Sequence, residues 1–406
     1  MKSSAAKLEE PEGDTRIRDP RIRGKVSRRA RQDDLCVTSL GWVKKLSRRP
    51  EQVETLNFYA AVDVPAPGDQ RRVSDPARVE ATVAQFEAGL RDSLESSSRI
   101  RGWVSDQLFG LIAADLGGCQ LVKQEDSGIL FYEEEVKLPD WRLTLVSNET
   151  ILVEVKAEDG DHPLVSKLRL AEVARLRSYA ALNQCPLYVA VHWVAMSMWT
   201  LVPIDDYVRT GDHFEIDLQT AFKRNHMCSL LNDRMLGLKP PLEFRLTMKE
   251  VPDEDGKFEH ESELAATRGL SLVTTGVRVF AGGKEMVDSS ESELVWFLIQ
   301  HARWPCEEKM EDSGDGVWEM VFTMAPDESH AEQGFDIIGG LSELYTLMFY
   351  SGTTSLENET TRLSIDVEPG TLPRLVPTDL KSDRLPLWHL HINPSAPTAV
   401  DAPEGE

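Results

Sequence analysis

The 406-residue chain lacks the features that mark membrane, secreted and disulfide-rich proteins. It contains no run of about eighteen apolar residues, so we expect no transmembrane helix and no membrane partner. No apolar segment follows its charged beginning, so we expect no secretory signal. The five cysteines include no C-x-x-C pair, which gives no support for a disulfide framework or a structural zinc site. These absences favour a cytoplasmic protein in a reducing environment.

Several active-site motifs are also missing. The segment FAGGKE (280–285) lacks the first glycine and the spacing of a phosphate-binding loop. No Cys or Ser lies in a recognisable nucleophile elbow. His389 and His391 share one face of a predicted strand, but without a third ligand at a suitable spacing we interpret them as structural. The sequence therefore does not support a P-loop enzyme or one with a Ser or Cys nucleophile.

The net charge of −23 is spread unevenly along the chain. Residues 16–49 contain twelve Lys or Arg and three Asp, a local balance of +9, so the rest of the chain carries about −32. Such a basic segment favours contact with nucleic acid phosphates, although a disordered, soluble tail has the same composition. The residues that we predict to bind nucleic acid in this segment are Arg16, Arg18, Arg21, Arg23, Arg28, Arg29, Arg31, Lys44 and Lys45.

The length of the chain predicts two domains. Residues 1–75 have the composition of a basic, disordered arm and linker, and residues 76–208 form the first predicted domain. Residues 209–392 contain acidic stretches between strand-like and helical segments, which predicts an α+β domain that binds a partner or regulates the first domain. We expect residues 393–406 to form a disordered tail.

The hydrophobic pattern alternates between the helical and the strand period. In the first domain it predicts helices at 76–96, 99–118 and 163–184 and strands at 119–124, 128–136, 140–148, 150–157, 186–194 and 198–204. The last of these helices links two predicted central strands, so the predicted fold class is α/β, with a mixed sheet flanked by helices. In the second domain it predicts strands at 243–251, 270–283 and 316–324, helices at 290–302 and 335–352, and acidic connections at 251–263 and 306–316.

The strand TILVEVKA (150–157) carries two charged residues within an apolar run. Side chains alternate between the two faces of a strand, so Glu154 and Lys156 share one face while Val153 and Val155 share the other. Burying such charges costs several kcal/mol unless they are paired or bind a metal. The pattern therefore predicts either a catalytic site or an ion pair on a half-exposed strand.

A second carboxylate, that of Asp140, lies at the start of the preceding strand. A turn between residues 147 and 150 would fold the two strands as a hairpin and bring Asp140 towards Glu154. Mg²⁺ prefers oxygen ligands and is often held by one or two carboxylates together with water and substrate phosphate. A lysine beside such a site can offset the negative charge that develops on a phosphate under attack. Asp140, Glu154 and Lys156 are therefore the predicted catalytic residues.

The pattern Pro-Asp, thirteen residues and then Glu-x-Lys in an apolar strand resembles the PD-(D/E)xK nuclease superfamily, which has the restriction-endonuclease-like fold. The resemblance covers about residues 95–208 and is greatest to members of the Holliday-junction-resolvase and restriction-enzyme types. It implies that Asp140 and Glu154 bind Mg²⁺ or Mn²⁺ and that Lys156 is the catalytic lysine.

The resemblance also extends to the flanking helices. Asp106 follows Gly102 at the spacing of an acidic metal ligand on the first helix, with Asp where Glu is commoner. Superfamily members often contact substrate from the helix after Glu-x-Lys, and the basic candidates here are Lys167, Arg169, Arg175 and Arg177. We assign Arg175 and Arg177 to the nucleic-acid-binding residues and Asp106 to the metal ligands.

The sequence thus predicts a Mg²⁺-dependent phosphodiester hydrolase, a nuclease whose partner is nucleic acid, with DNA as the first expectation. The acidic C-terminal half suggests a protein partner, and the resemblance is compatible with a homodimer. The alternative is a catalytically inactive nuclease-fold adaptor or protein-interaction protein, in which Glu154 and Lys156 form an ordinary ion pair. The choice between DNA and RNA and the preferred substrate structure stay open.

Overall fold

The computed structural model describes residues 50–63, 71–125, 135–160, 163–250, 272–355, 359–365 and 369–394. All of them belong to one unit, Gly41–Glu406. The predictions that lie outside the described residues are the basic residues at 16–45, most of the strand at 128–136, the whole acidic stretch at 251–263 and most of the tail. Within the described part of the chain, no helix is long and apolar enough to cross a membrane.

Two of the longer helices begin after residues that cap them. Helix α2 (Pro76–Glu95) follows Asp75, whose side chain accepts a hydrogen bond from the backbone N–H of Ala77. Helix α3 (Ser97–Asp115) is capped by Ser96 in the same way. The other described helices are α1 (Pro50–Val62), α4 (Leu170–Asn183), α5 (Leu218–Lys223), α6 (Met227–Leu231), α7 (Ser289–His301), α8 (Leu341–Thr353) and α9 (Thr371–Leu375).

The strands are short, and many of them pair in antiparallel fashion with the next strand in the chain. In chain order they are β1 (Cys119–Gln124), β2 (Trp141–Leu145), β3 (Thr150–Glu158), β4 (Val165–Arg169), β5 (Leu187–Trp193), β6 (Met198–Pro203), β7 (Val208–Thr210), β8 (His213–Asp217), β9 (Met235–Leu238), β10 (Leu242–Glu250), β11 (Leu272–Ala281), β12 (Lys284–Glu285), β13 (Cys306–Gly314), β14 (Val317–Met324), β15 (Asp336–Gly340) and β16 (Leu387–Leu390).

A five-stranded mixed sheet has the order β1-β2-β3-β5-β6. Strands β3 and β5 are parallel neighbours, and α4 lies in the connection between them. The other neighbouring strands of this sheet are antiparallel. The prediction of a mixed α/β fold with a helix linking two central strands is confirmed.

The two faces of this sheet pack against different helices. Val153 and Val155 of β3 lie in a core cluster with residues of α3, whereas Leu152 lies in a cluster with residues of α4. Because side chains alternate along a strand, Glu154 and Lys156 project on the α4 side. The candidate catalytic residues therefore lie between β3 and α4.

Residues after β6 build two more sheets, in the orders β12-β11-β10-β14-β13 and β15-β9-β16. A further sheet, β4-β8-β7, joins β4 from the first half of the chain to two strands that follow β6. The larger core cluster contains residues of α3 and β3 together with residues of β9, α7 and α8. Apolar packing is thus continuous across residue 208, and the domain boundaries stay a prediction.

Four predicted segments differ from the structure. Part of the predicted disordered arm at 1–75 forms helix α1 (Pro50–Val62). The helix predicted at 163–184 begins with strand β4, in which buried Ser166 and Leu168 alternate with exposed Lys167 and Arg169, the period of a strand. The helix predicted at 335–352 likewise begins with β15, which ends in two glycines that disfavour a helix interior. Most of the acidic connection at 306–316 is strand β13, which among the described strands pairs with β14 at the edge of its sheet, so most of its charged side chains are exposed.

Candidate active site

The hairpin of β2 and β3 brings Asp140 to Glu154. Trp141 pairs with Val153 in this hairpin, so the residues next to them in the chain, Asp140 and Glu154, face each other across the two strands. The Asp140 carboxylate accepts a hydrogen bond from the backbone N–H of Val155 at 2.6 Å. This bond holds the Asp140 side chain against β3.

Glu154 is the most buried charged residue of the site, with 1% of its surface exposed. Its Oε1 accepts hydrogen bonds from Lys156 Nζ at 2.7 Å and from Lys137 Nζ at 2.6 Å. Its Oε2 is buried and accepts no hydrogen bond from any residue that the structure describes. A buried carboxylate oxygen without a hydrogen-bond partner lowers the stability of the fold. This atom is therefore a candidate metal ligand.

Both lysines also contact a second glutamate, on the first turn of α4. Glu172 Oε1 accepts hydrogen bonds from Lys137 Nζ at 2.6 Å and from Lys156 Nζ at 2.9 Å. Lys137, Glu154, Lys156 and Glu172 thus form a closed arrangement of alternating charges, which we call the ion cluster. It ties the face of β3 to α4 and to the segment that precedes Asp140.

The pKa values of Lys156 and Glu172 reflect these contacts. Burial acts to lower the pKa of Lys156, but Glu154 and Glu172 outweigh it and hold the pKa above its ordinary value. Burial acts to raise the pKa of Glu172, but Lys137 and Lys156 lower it to about 2. Lys156 and Glu172 are therefore charged at neutral pH.

The pKa of Asp140 is shifted upwards, in contrast to that of Glu172. Burial, followed by repulsion from the Glu154 carboxylate, raises the pKa of Asp140 to about 7, although the Val155 N–H and Lys156 act against the shift. The two carboxylates are therefore close enough to repel each other in a partly dry environment. A divalent cation would relieve this repulsion, and the unpartnered Oε2 of Glu154 gives it an oxygen ligand.

Asp106 lies near this pair but is engaged elsewhere. One of its carboxylate oxygens accepts a hydrogen bond from Trp141 Nε1 at 2.5 Å, and the other accepts from Gln107 at 3.2 Å and Gln124 at 3.1 Å. Burial raises its pKa, and Glu154 adds a smaller repulsion. Across the described residues, no group of three or more His, Cys, Asp or Glu side chains is arranged to hold a metal ion. The arrangement thus fits a site of two protein carboxylates, and the role of Asp106 stays a prediction.

The two arginines predicted to bind nucleic acid lie on α4, which also carries Glu172. Arg177 pairs with Asp205 at 2.6 Å, and its guanidinium lies 5.2 Å from the centre of the Phe214 ring. Arg175 is exposed, and its backbone carbonyl accepts a hydrogen bond from the backbone N–H of Lys137 at 3.2 Å. The nine predicted basic residues between Arg16 and Lys45 lie outside the described residues.

Sequence analysis missed two members of the ion cluster. Lys137 belongs to a Glu-x-Lys triplet, Glu135–Lys137, of a kind that this charged chain contains several times. Glu172 has the position of an ordinary acidic residue in the first turn of a helix. Only the packing of α4 against β3 brings the two together, so no local pattern could have identified them.

Among known proteins, the chain has a distant structural similarity to a solved enzyme. No known protein family matches the chain, and no curated protein matches its sequence. Among solved structures, the chain is similar to Hjc, a Holliday junction resolvase from Archaeoglobus fulgidus, an archaeal hyperthermophile. The identity is 21%, the match covers 28% of this chain and 85% of that one, and the TM-score is 0.21. A similarity at this score supports no conclusion about the activity of this chain.

Proposed function

We propose that the protein is a metal-dependent nuclease that hydrolyses phosphodiester bonds of nucleic acid, with DNA as the first substrate to test. The observation that carries the proposal is the buried, unpartnered Oε2 of Glu154, beside Asp140 and with Lys156 on the same face. An ordinary ion pair explains Oε1 of Glu154 but leaves Oε2 without a partner beside a second buried carboxylate, that of Asp140.

Asp140 and Glu154 would hold Mg²⁺ or Mn²⁺. Mg²⁺ usually keeps several waters and takes one or two protein carboxylates, which suits a site with two rather than three acidic ligands. Bound there, the cation would supply Lewis-acid polarisation of the scissile phosphate and a more acidic water as nucleophile.

The remaining roles belong to the chain itself. The Val155 N–H fixes the Asp140 carboxylate, and burial on the α4 side holds Glu154 in one orientation. Lys156, charged at neutral pH and one-quarter exposed, can donate a hydrogen bond to a phosphate oxygen as negative charge develops on it. Electrostatic stabilisation of this kind typically contributes a factor of about 10²–10³ in rate.

The substrate must approach an acidic protein. The basic residues between Arg16 and Lys45, together with Arg175 and Arg177, would provide the attraction for nucleic acid phosphates. Binding that depends on such contacts weakens steeply with salt, because released counterions drive it.

The test is a cleavage assay on single-stranded, double-stranded and branched DNA and on RNA, each with Mg²⁺, Mn²⁺ or EDTA. The variant is Lys156→Met, and the matched control is Lys309→Met, which removes an exposed lysine paired with Glu311 on β13. We expect metal-dependent cleavage by the wild type and the control, and a loss of about a hundredfold or more in Lys156→Met. Equal rates for the three proteins would contradict the assignment of Lys156.

A non-catalytic binding protein is the second candidate. The ion cluster satisfies the charges of both lysines, and the described residues lack a three-ligand metal cluster, as expected for an inactive nuclease fold. A folded wild type that cleaves no substrate under any condition and binds no Mn²⁺ would favour this candidate.

A further inference from the structure

The ion cluster contains two lysines where the Glu-x-Lys motif accounts for one. Lys137 Nζ lies 2.6 Å from Glu154 Oε1 and 2.6 Å from Glu172 Oε1. Lys156 Nζ lies 2.7 and 2.9 Å from the same two atoms. The two ammonium groups are therefore equivalent in their contacts, although they come from different segments of the chain.

We propose that Lys137 is a second phosphate-binding lysine of the site and that Glu172 is the positioning residue that holds both lysines beside the carboxylate pair. The proposal rests on the proposed function, because the phosphate in question is that of the nucleic acid substrate.

The two lysines are more exposed to solvent than Glu154. The side chain of Glu154 is 2% exposed, whereas those of Lys137 and Lys156 are 36% and 24% exposed. A phosphate that approaches Glu154 from solvent therefore meets both ammonium groups.

Each lysine has one N–H donor that Glu154 and Glu172 do not occupy. An ammonium group has three N–H donors, and each lysine uses two of them on Glu154 and Glu172. Among the described residues the third donor of each lysine has no acceptor, so it is available to a phosphate oxygen.

Glu172 is held on helix α4 and can therefore fix the positions of both lysines. It lies in the first turn of α4, and the segment that carries Lys137 is itself joined to α4, since the Lys137 N–H donates to the Arg175 carbonyl at 3.2 Å. If Glu154 held a cation, Glu172 would remain available to orient both ammonium groups.

The first experiment measures DNA binding in EDTA by fluorescence anisotropy between about 50 and 200 mM salt. Over this range the affinity of a protein that contacts phosphates falls steeply. Lys137→Met is compared with the wild type and with Lys309→Met. Loss of one phosphate contact lowers the slope of log K against log salt by about 0.9, whereas Lys309→Met leaves it unchanged. Lys137→Arg keeps the charge and should restore the slope, which separates the effect from a loss of folding.

The second experiment measures cleavage kinetics of Glu172→Gln. A positioning role predicts a fall of about 10–100-fold in kcat with a smaller change in KM, because the lysines remain but are no longer held in place. Glu311→Gln, which removes the corresponding partner of Lys309, is the control and should leave both constants unchanged.

The outcomes separate this inference from the proposed function. If the wild type cleaves DNA but Lys137→Met keeps its salt slope and Glu172→Gln keeps its kcat, the inference is wrong and the nuclease assignment stands. If the wild type cleaves no nucleic acid and shows no heat of Mn²⁺ binding by calorimetry, the proposed function fails and this inference fails with it.

Discussion

Replacement of Asp140 by Asn removes a carboxylate that the fold holds at a cost in stability. Burial and the neighbouring Glu154 raise the pKa of Asp140 from its ordinary value of 3.8 to about 7. Between these two values the folded state binds a proton that the unfolded state has released. The stability of the wild type therefore falls as the pH rises from about 4 to 7 and is constant above, as far as this group is concerned.

The size of the effect follows from the two pKa values. Each pH unit between them reduces the free energy of unfolding by about 1.4 kcal/mol. About two such units lie between pH 5 and pH 7. The ionisable carboxyl of Asp140 therefore lowers the free energy of unfolding by about 2–3 kcal/mol more at pH 8 than at pH 5. Asn avoids this cost, and its carbonyl oxygen can still accept the hydrogen bond from the Val155 N–H.

The assay is urea unfolding of the wild type and of Asp140→Asn at pH 5 and pH 8 without divalent cations. The gain in stability of Asp140→Asn over the wild type should be about 2–3 kcal/mol larger at pH 8 than at pH 5. Comparison of the two differences cancels any pH-independent effect of the substitution.

Asp217 provides the control. Burial opposes the shift, but hydrogen bonds from Thr220 lower the pKa of this N-cap residue of α5. Its carboxylate is therefore ionised at both pH values, and Asp217→Ala should lose about 1 kcal/mol equally at pH 5 and pH 8. A stability gain of Asp140→Asn that is the same at both pH values, or larger at pH 5, would refute the close approach of Asp140 and Glu154.

Three other predictions concern the surroundings of the site. Gly110→Ala should destabilise the protein by about 1–3 kcal/mol in urea unfolding, because the new Cβ would lie 2.2 Å from the Trp141 ring; an unchanged midpoint would contradict this packing. Asp115→Ala should cost about 3 kcal/mol in the same assay, because the buried carboxylate accepts hydrogen bonds from the N–H groups of residues 370–372; a loss under about 1 kcal/mol would contradict it. Cleavage at subsaturating DNA should fall at least about tenfold between 50 and 200 mM salt, and a salt-independent rate would contradict the role of the basic residues.

Local sequence was enough to predict the hairpin and the approach of its two carboxylates. The turn after β2 fixes the register of β2 and β3, and the period of a strand fixes the faces of Glu154 and Lys156. Both depend on residues within one short segment, which is why Asp140 and Glu154 could be placed together before the fold was known.

The ion cluster could not be predicted in this way. Glu172 reaches Lys137 only because α4 packs across β3, a contact between residues 35 positions apart. The strand β4 was missed for a related reason, since its pairing with β8 favours extended backbone where the apolar spacing also allowed a helix. Long-range packing, rather than local pattern, decides such segments.

The most direct measurement is the rate of DNA cleavage as Mg²⁺ is titrated into the wild type and into Glu154→Gln, with Glu311→Gln as the matched control. Gln keeps the size of Glu154 but removes the charge that a cation requires. We predict saturable, Mg²⁺-dependent cleavage by the wild type and the control, and a rate at least about a hundredfold lower in Glu154→Gln. Cleavage by Glu154→Gln at the wild-type rate and with the wild-type Mg²⁺ dependence would show that the carboxylate pair is not the catalytic site.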